Sequence, residues 1–373
     1  MKYLLRPAAG IALMLSLPGA VAFGQHYTQT NLVSNDSGTS PDMQLINPWG
    51  MSRGSGTPWW VSDNGTGLST LYNGAGAKQG LVVTIPPAVA GNTGTPTGTI
   101  FNGSATDFLL APGKQSVFLF STEDGTIAGW NPTVGVPAGG APPSTTATTV
   151  VNTKNGSVFK GMTSATVSGK LYLYVANFTK ERVDVYDSAF HRVHFGEDSF
   201  NDEELPRDYS PFNVQAIGND IVVTYALHEG SGVDQTNGPG LGRVDIYTSN
   251  GQLLRRLQHG KWLNAPWGVA LAPTDFGVFS HDLLIGQFGG GNIAAYDMAS
   301  GRFEGLLEDA TGAPIWIDGL WDISPGNASP ANYNAASAPA AELYFSAGPG
   351  DEAGGLIGYL TAVSTELTKG NDQ

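Results

Sequence analysis

The chain has 373 residues, a formal net charge of −14, 13% charged residues, 51 glycines, 23 prolines and no cysteine. That acidic balance argues against nucleic acid and anionic membrane surfaces as partners, and the missing cysteines exclude a disulfide framework and a lipobox. High glycine and proline without a Gly-x-y period, beside 41% hydrophobic residues, fits a turn-rich protein with a large core rather than collagen or disorder.

Residues 1–22 read as a secretory signal peptide. Lys2 and Arg6 give a basic start, Ile11 to Leu17 an apolar run, and Ala20-Val21-Ala22 an A-x-A cleavage site. The apolar run is too short to span a bilayer, and no later stretch is long enough. The expectation is a secreted or periplasmic monomer without a membrane anchor, its mature chain starting at Phe23.

Tyr27 to Val33 alternates like a strand and precedes six similar units. The first unit opens at Pro48-Trp49-Gly50-Met51, continues through Trp59-Trp60-Val61-Ser62 and Gly67 to Tyr72, and ends on a weaker run, Leu81 to Ile85. The second opens less tidily at Asp107-Phe108-Leu109, then runs Val117 to Phe120 and Gly125 to Trp130. The third comprises Lys160-Gly161-Met162, Leu171 to Val175 and Arg182 to Tyr186, and the fourth Pro211 to Val214, Ile221 to Val223, Gly242 to Tyr247 and Leu253 to Leu257. Pro266 to Val269, Leu283 to Ile285 and Gly291 to Tyr296 form the fifth; Asp318 to Trp321, Leu343 to Phe345 and Gly355 to Tyr359 form the sixth.

These runs are short, β-branched or aromatic, and bounded by Gly, Pro or Asx, which favours strand over helix. The opening anchors at 50, 107, 161, 213, 268 and 319 return about every 50 to 60 residues, as do the aromatics closing the third run, so the unit is a repeat. The predicted fold is all-β: a six-bladed β-propeller of four-stranded antiparallel sheets over residues 23–363. The sixth unit lacks a fourth strand, so residues 27–33 are expected to pair with it and close the ring. Residues 364–373 are expected to form a disordered tail. Pro137 to Thr149 reads as a surface loop, and the acidic stretch from Glu197 to Asp208 as a solvated one.

Several motifs carry little. Gly50-x-Ser52-x-Gly54 matches a nucleophile elbow but falls in a strand, not a strand–turn–helix. The glycine runs at 238–242 and 289–291 precede no helix and read as hairpin turns. The six histidines show no zinc spacing. What remains is positional. In a propeller, loops entering the innermost strand and loops joining the second and third strands surround one mouth of the channel. Trp49, Asp63, Asn64, Asp107, Glu123, Lys160, Phe212, Trp267 and Gln287 are expected there, with Asp124, Asn177, Asn213 and Asp318. The aromatics would give an organic ligand an apolar wall, and the carboxylates and amides are hard oxygen donors suited to Ca2+. Alternatively, the Asx side chains only end strands and the tryptophans only pack.

The phrases Asn47-Pro48-Trp49-Gly50, Trp60 to Gly67, Glu123 to Pro132, Asn264 to Gly268 and Ile317 to Trp321 resemble a family of secreted, conserved hypothetical bacterial proteins that look like NHL or SMP-30-type six-bladed propellers. The resemblance spans the mature chain and implies the fold and export, but no activity. Where relatives read Gly-Asn-Phe-Gly-Asp-Gly, this chain has Gly286-Gln287-Phe288-Gly289-Gly290-Gly291. Two functions stay open: a small molecule or an extracellular protein bound at the channel mouth, or a Ca2+-dependent hydrolase or lactonase of the SMP-30 type. In the second, Asp63, Asn177, Asn213 and Asp318 would hold the metal.

Overall fold

The computed structural model describes residues 25–36, 41–230, 232–326 and 341–366. The expected signal peptide and residues 367–373 of the expected tail lie outside them. Six four-stranded antiparallel sheets form the described part, and helix is confined there to three short 3-10 turns. The protein is a six-bladed β-propeller. From blade 1 to blade 6, the innermost strands are Pro48–Ser52, Pro96–Phe101, Phe159–Val167, Tyr209–Ile217, Pro266–Leu271 and Leu320–Pro325. Buried aromatic and aliphatic side chains fill the gaps between blades: Trp60 stacks on Phe118 at 4.3 Å between blades 1 and 2, and Trp59 meets Tyr344 at 5.0 Å between blades 1 and 6.

The ring closes as the alternation of residues 27–33 requires. Tyr27–Ser34 is the outer strand of blade 6, pairing with Leu356–Ala362 from Tyr27 opposite Ala362 to Ser34 opposite Leu356. The first tail residues join this latch, because Ser364–Glu366 form a 3-10 turn and the Glu366 carboxylate meets the His26 backbone N–H at 2.8 Å and its Nδ1 at 3.0 Å.

Two anchors differ from expectation. Blade 2 opens at Pro96-Thr97-Gly98-Thr99, not at Asp107; Leu109–Ala111 and Lys114–Gln115 form a separate hairpin between its first and second strands. In blade 6, Gly319 takes a left-handed φ of 64° in the turn before the strand, and the equivalent of Gly50 is Asp322. The register then reveals two stacked rings around the axis. Trp49, Thr97, Lys160, Phe212, Trp267 and Trp321 form the upper one, and Gly50, Gly98, Gly161, Asn213, Gly268 and Asp322 the lower, at or beside a register break in each innermost strand. Glycine in the lower ring lets adjacent blades touch by backbone: a Cβ on Gly98 would lie 2.6 Å from the Met162 nitrogen.

Candidate ligand face

The upper ring closes the channel. Trp49 stacks on Trp321 at 3.6 Å and meets Trp267 edge-on at 6.0 Å, while Phe212 lies 5.9 Å from Trp321 and Phe288 stacks on it at 3.9 Å. Offset and edge-to-face aromatic contacts of this kind stabilise by about 0.5–1.5 kcal/mol each beyond burial. The expected aromatics Trp49, Phe212 and Trp267 do converge, but as a plug rather than an open wall.

Lys160 is the exception in this ring. Its side chain is 1% exposed, with Nζ 2.6 Å from Glu123 Oε1, 3.3 Å from Asp234 Oδ1 and 5.0 Å from the centre of the Trp49 ring. Such burial is tolerable only with partners, since an isolated ammonium loses its hydration. Glu123 also accepts from Asn64 Nδ2 at 2.9 Å, and Asn47 Nδ2 donates to Glu352 at 2.5 Å. Burial raises the Glu352 carboxyl above the ordinary glutamate range, against the lowering effect of Asn47. Asn64, Glu123 and Lys160 thus form one polar group over the plug, as their loop positions predicted; Asp234, Asn47 and Glu352 join it without having been singled out.

The remaining expected residues lie elsewhere. Asp107 is a correction: its loop connects the first and second strands of blade 2 and emerges on the opposite face, where Asp107 accepts from the Ser104 hydroxyl. Asp63 ends the second strand of blade 1, fully buried, and takes the Thr70 N–H at 2.9 Å on Oδ2; burial pushes its carboxyl well above the ordinary range. At the same level in blade 5, Gln287 accepts from Asn264 N at 2.9 Å and donates to Ile285 O at 3.0 Å. Both fasten hairpins within their own blades.

The four proposed calcium donors do not fit a metal. Asn177 donates to Asp184 at 2.6 Å inside blade 3, Asn213 to Trp267 O at 2.7 Å in the lower ring, and Asp318 accepts Gly350 N–H at 2.8 Å on the rim. With Asp63 they occupy four blades, whereas Ca2+ needs six to eight oxygens around one point, within about 2.6 Å. Among the described residues, no three His, Asp or Glu side chains are grouped to hold a metal ion. His228 is likewise structural: its ring lies 4.6 Å from Phe178 and Nε2 is 2.8 Å from Gly232 O.

The rim of this face has a feature that periodicity did not suggest. Met43, Val89, Val233 and Trp316 are exposed, Trp316 by 67%, and all four sit on loops entering an innermost strand or joining second and third strands. Exposed acidic residues Glu229 and Asp234 share the loop of Val233, and Glu181 and Asp351 lie on the corresponding loops of blades 3 and 6.

No family model matches the chain. Two uncharacterised proteins of Acanthamoeba polyphaga mimivirus are similar along most of it. One is 30% identical over 331 residues, covering 86% of this chain and 81% of its own length; the other is 29% identical over 344 residues, covering 90% and 79%. Neither bacterial origin nor secretion follows from these viral relatives. Among solved structures, a Bacteroides thetaiotaomicron protein of unknown function aligns with a TM-score of 0.53 at 10% identity, covering 90% of this chain and 76% of its own. The PQQ-bound aldose sugar dehydrogenase of Streptomyces coelicolor aligns at 0.51 and 13%, covering 90% and 98%. At these identities the likeness concerns fold alone. The chain belongs to the family of the mimivirus proteins, and its described residues form a six-bladed propeller.

Proposed function

We propose that this propeller is a binding module whose loop face, above the aromatic plug, docks a protein or peptide partner carrying cationic and apolar side chains. The observation that carries this reading is the coincidence on one face of four exposed apolar side chains, Met43, Val89, Val233 and Trp316, with the acidic group around Lys160. Exposed tryptophan and methionine are enriched at protein interfaces, and an acidic rim steers basic partners. The aromatic plug favours a partner that lies across the face over a small molecule inserted along the axis. The leader suggests that this binding takes place outside the cytoplasm. A mature N-terminus at Phe23, found by mass spectrometry of exported protein, would support that; retention of Met1 would contradict it.

Peptide selection tests the face. Random peptides selected on the intact protein should be rich in Lys or Arg beside aromatic or aliphatic residues. Their affinity should fall about tenfold or more when Met43, Val89, Val233 and Trp316 are all replaced by Ser, and should weaken with salt. Peptides that bind this variant equally well would contradict the proposal.

A further inference from the structure

A cavity enters the axis from the opposite face. It is a well of about 350 Å³, reaching up to Trp267 in the plug and lined by Gly50, Gly98, Asn213 and Asp322 of the lower ring. That volume lies at the small end of ordinary ligand pockets. Two charged side chains contribute to its wall, Asp322 and Arg53. The guanidinium of Arg53 is held against the wall, donating to Pro325 O at 3.3 Å and Gly326 O at 2.7 Å, 4.7 Å from the centre of the Trp59 ring.

Asp322 stands apart from its five counterparts. Four are glycines, and the fifth, Asn213, is neutral: Oδ1 accepts Val214 N–H at 2.8 Å and Nδ2 donates to the next blade. Asp322 reaches the next blade with the opposite polarity, accepting Ile323 N–H on Oδ1 at 2.9 Å and Met51 N–H on Oδ2 at 2.8 Å. Both carboxylate oxygens thus serve as acceptors, where an amide could supply only one. A carboxylate offers about four acceptor positions, so two remain after these bonds. Asp322 is only half-buried because its side of the ring faces the well.

We infer that this well binds a small organic ammonium with an apolar body, whose charged end pairs with Asp322. Ile100, Met162 and Val269 supply apolar wall. One carboxylate suits an ammonium, whereas a divalent metal would need more oxygen donors. Burial pushes the Asp322 carboxyl up to about 7, so near neutral pH an arriving ammonium would displace a proton from part of the population.

The test uses methionine methyl NMR on the intact protein, with n-hexylammonium and its neutral analogue 1-hexanol as probes. Met51 and Met162 line the well, whereas Met43 is exposed on the other face and Met298 lies in the outer part of blade 5. Hexylammonium should shift Met51 and Met162 but neither Met43 nor Met298, and should bind about tenfold tighter than hexanol. Asp322→Asn, which removes the charge and one of the two acceptors, should erase that preference. Ile100→Trp adds bulk to the apolar wall while keeping the Asp322 carboxylate and should abolish binding of both probes, which decides the matter if Asp322→Asn does not fold. Equal affinity for the two probes, no shift up to about 10 mM, a shift confined to Met43, or unchanged preference in Asp322→Asn would each overturn the inference.

Discussion

The residue that best shows how this face is built is Lys160, an ammonium in a ring of mostly aromatic neighbours. Its position was legible because it opens the third repeat, where Trp49, Phe212 and Trp267 open others. The two members of its ion pair are not equivalent, since Lys160 is 1% exposed and Glu123 24%. Glu123→Ala leaves the buried cation only its longer contact to the exposed Asp234 and should cost about 2 kcal/mol, whereas Lys160→Met leaves carboxylates that can turn to water and should cost about 1 kcal/mol or less. Urea denaturation gives the order, and a larger loss for Lys160→Met would refute it. A second residue is poised by burial. Asp245 in blade 4 is 3% exposed, with Tyr247 OH 3.2 Å away, and its carboxyl is pushed up to about 7 by burial and by the neighbouring Asp202, which Arg256 holds ionised. Because the folded state keeps this proton to higher pH than the unfolded chain, Asp245 makes stability fall as pH rises from about 4 to 7. Asp245→Asn should match the parent near pH 4 and exceed it by about 2–4 kcal/mol at pH 8. Equal stability of the two proteins at pH 8 would show that Asp245 ionises without cost.

At the scale of strands and turns, the repeat was readable where an aromatic or lysine marks the innermost strand. It failed at Pro96-Thr97-Gly98-Thr99, which has no such marker; the reading passed to Asp107 and carried a candidate ligand to the wrong face. The three-residue slip from Asp322 to Gly319 arose because a glycine in a turn looks like a glycine at a close approach. Asp63 and Gln287 were misjudged for a different reason. Periodicity places them at the mouth end of a strand, but not whether the side chain turns outward or back onto its own hairpin. Blade contact at the lower ring depends on the missing Cβ. Gly98→Ala should cost about 1–3 kcal/mol or more, because its methyl would meet the backbone of blade 3 instead of a movable side chain. Calorimetry showing an unchanged melting temperature would mean that the inner strands are less tightly apposed than described.

For the whole molecule, closure is the organising fact. The seam between blades 6 and 1 is held by the Tyr27–Ser34 strand and stitched across by Trp321 Nε1 to Asn47 Oδ1 at 2.8 Å, Asp322 to Met51 N–H, Arg53 to Pro325 O and Tyr344 OH to Gly74 O at 2.9 Å. A ring so fastened presents rigid loop faces, and rigid scaffolds carry function on their loops. The two ends of this one differ: a plugged, acidic face with an apolar rim, and a well with a single carboxylate at the level of its glycine ring. Hydrogen exchange of the intact protein, with and without a selected cationic peptide, most directly tests which face binds a partner. The account predicts protection in loops 41–47, 85–95, 228–230, 232–241 and 307–319, with loops 53–58, 102–117 and 272–282 unchanged. Protection confined to the second set would contradict it.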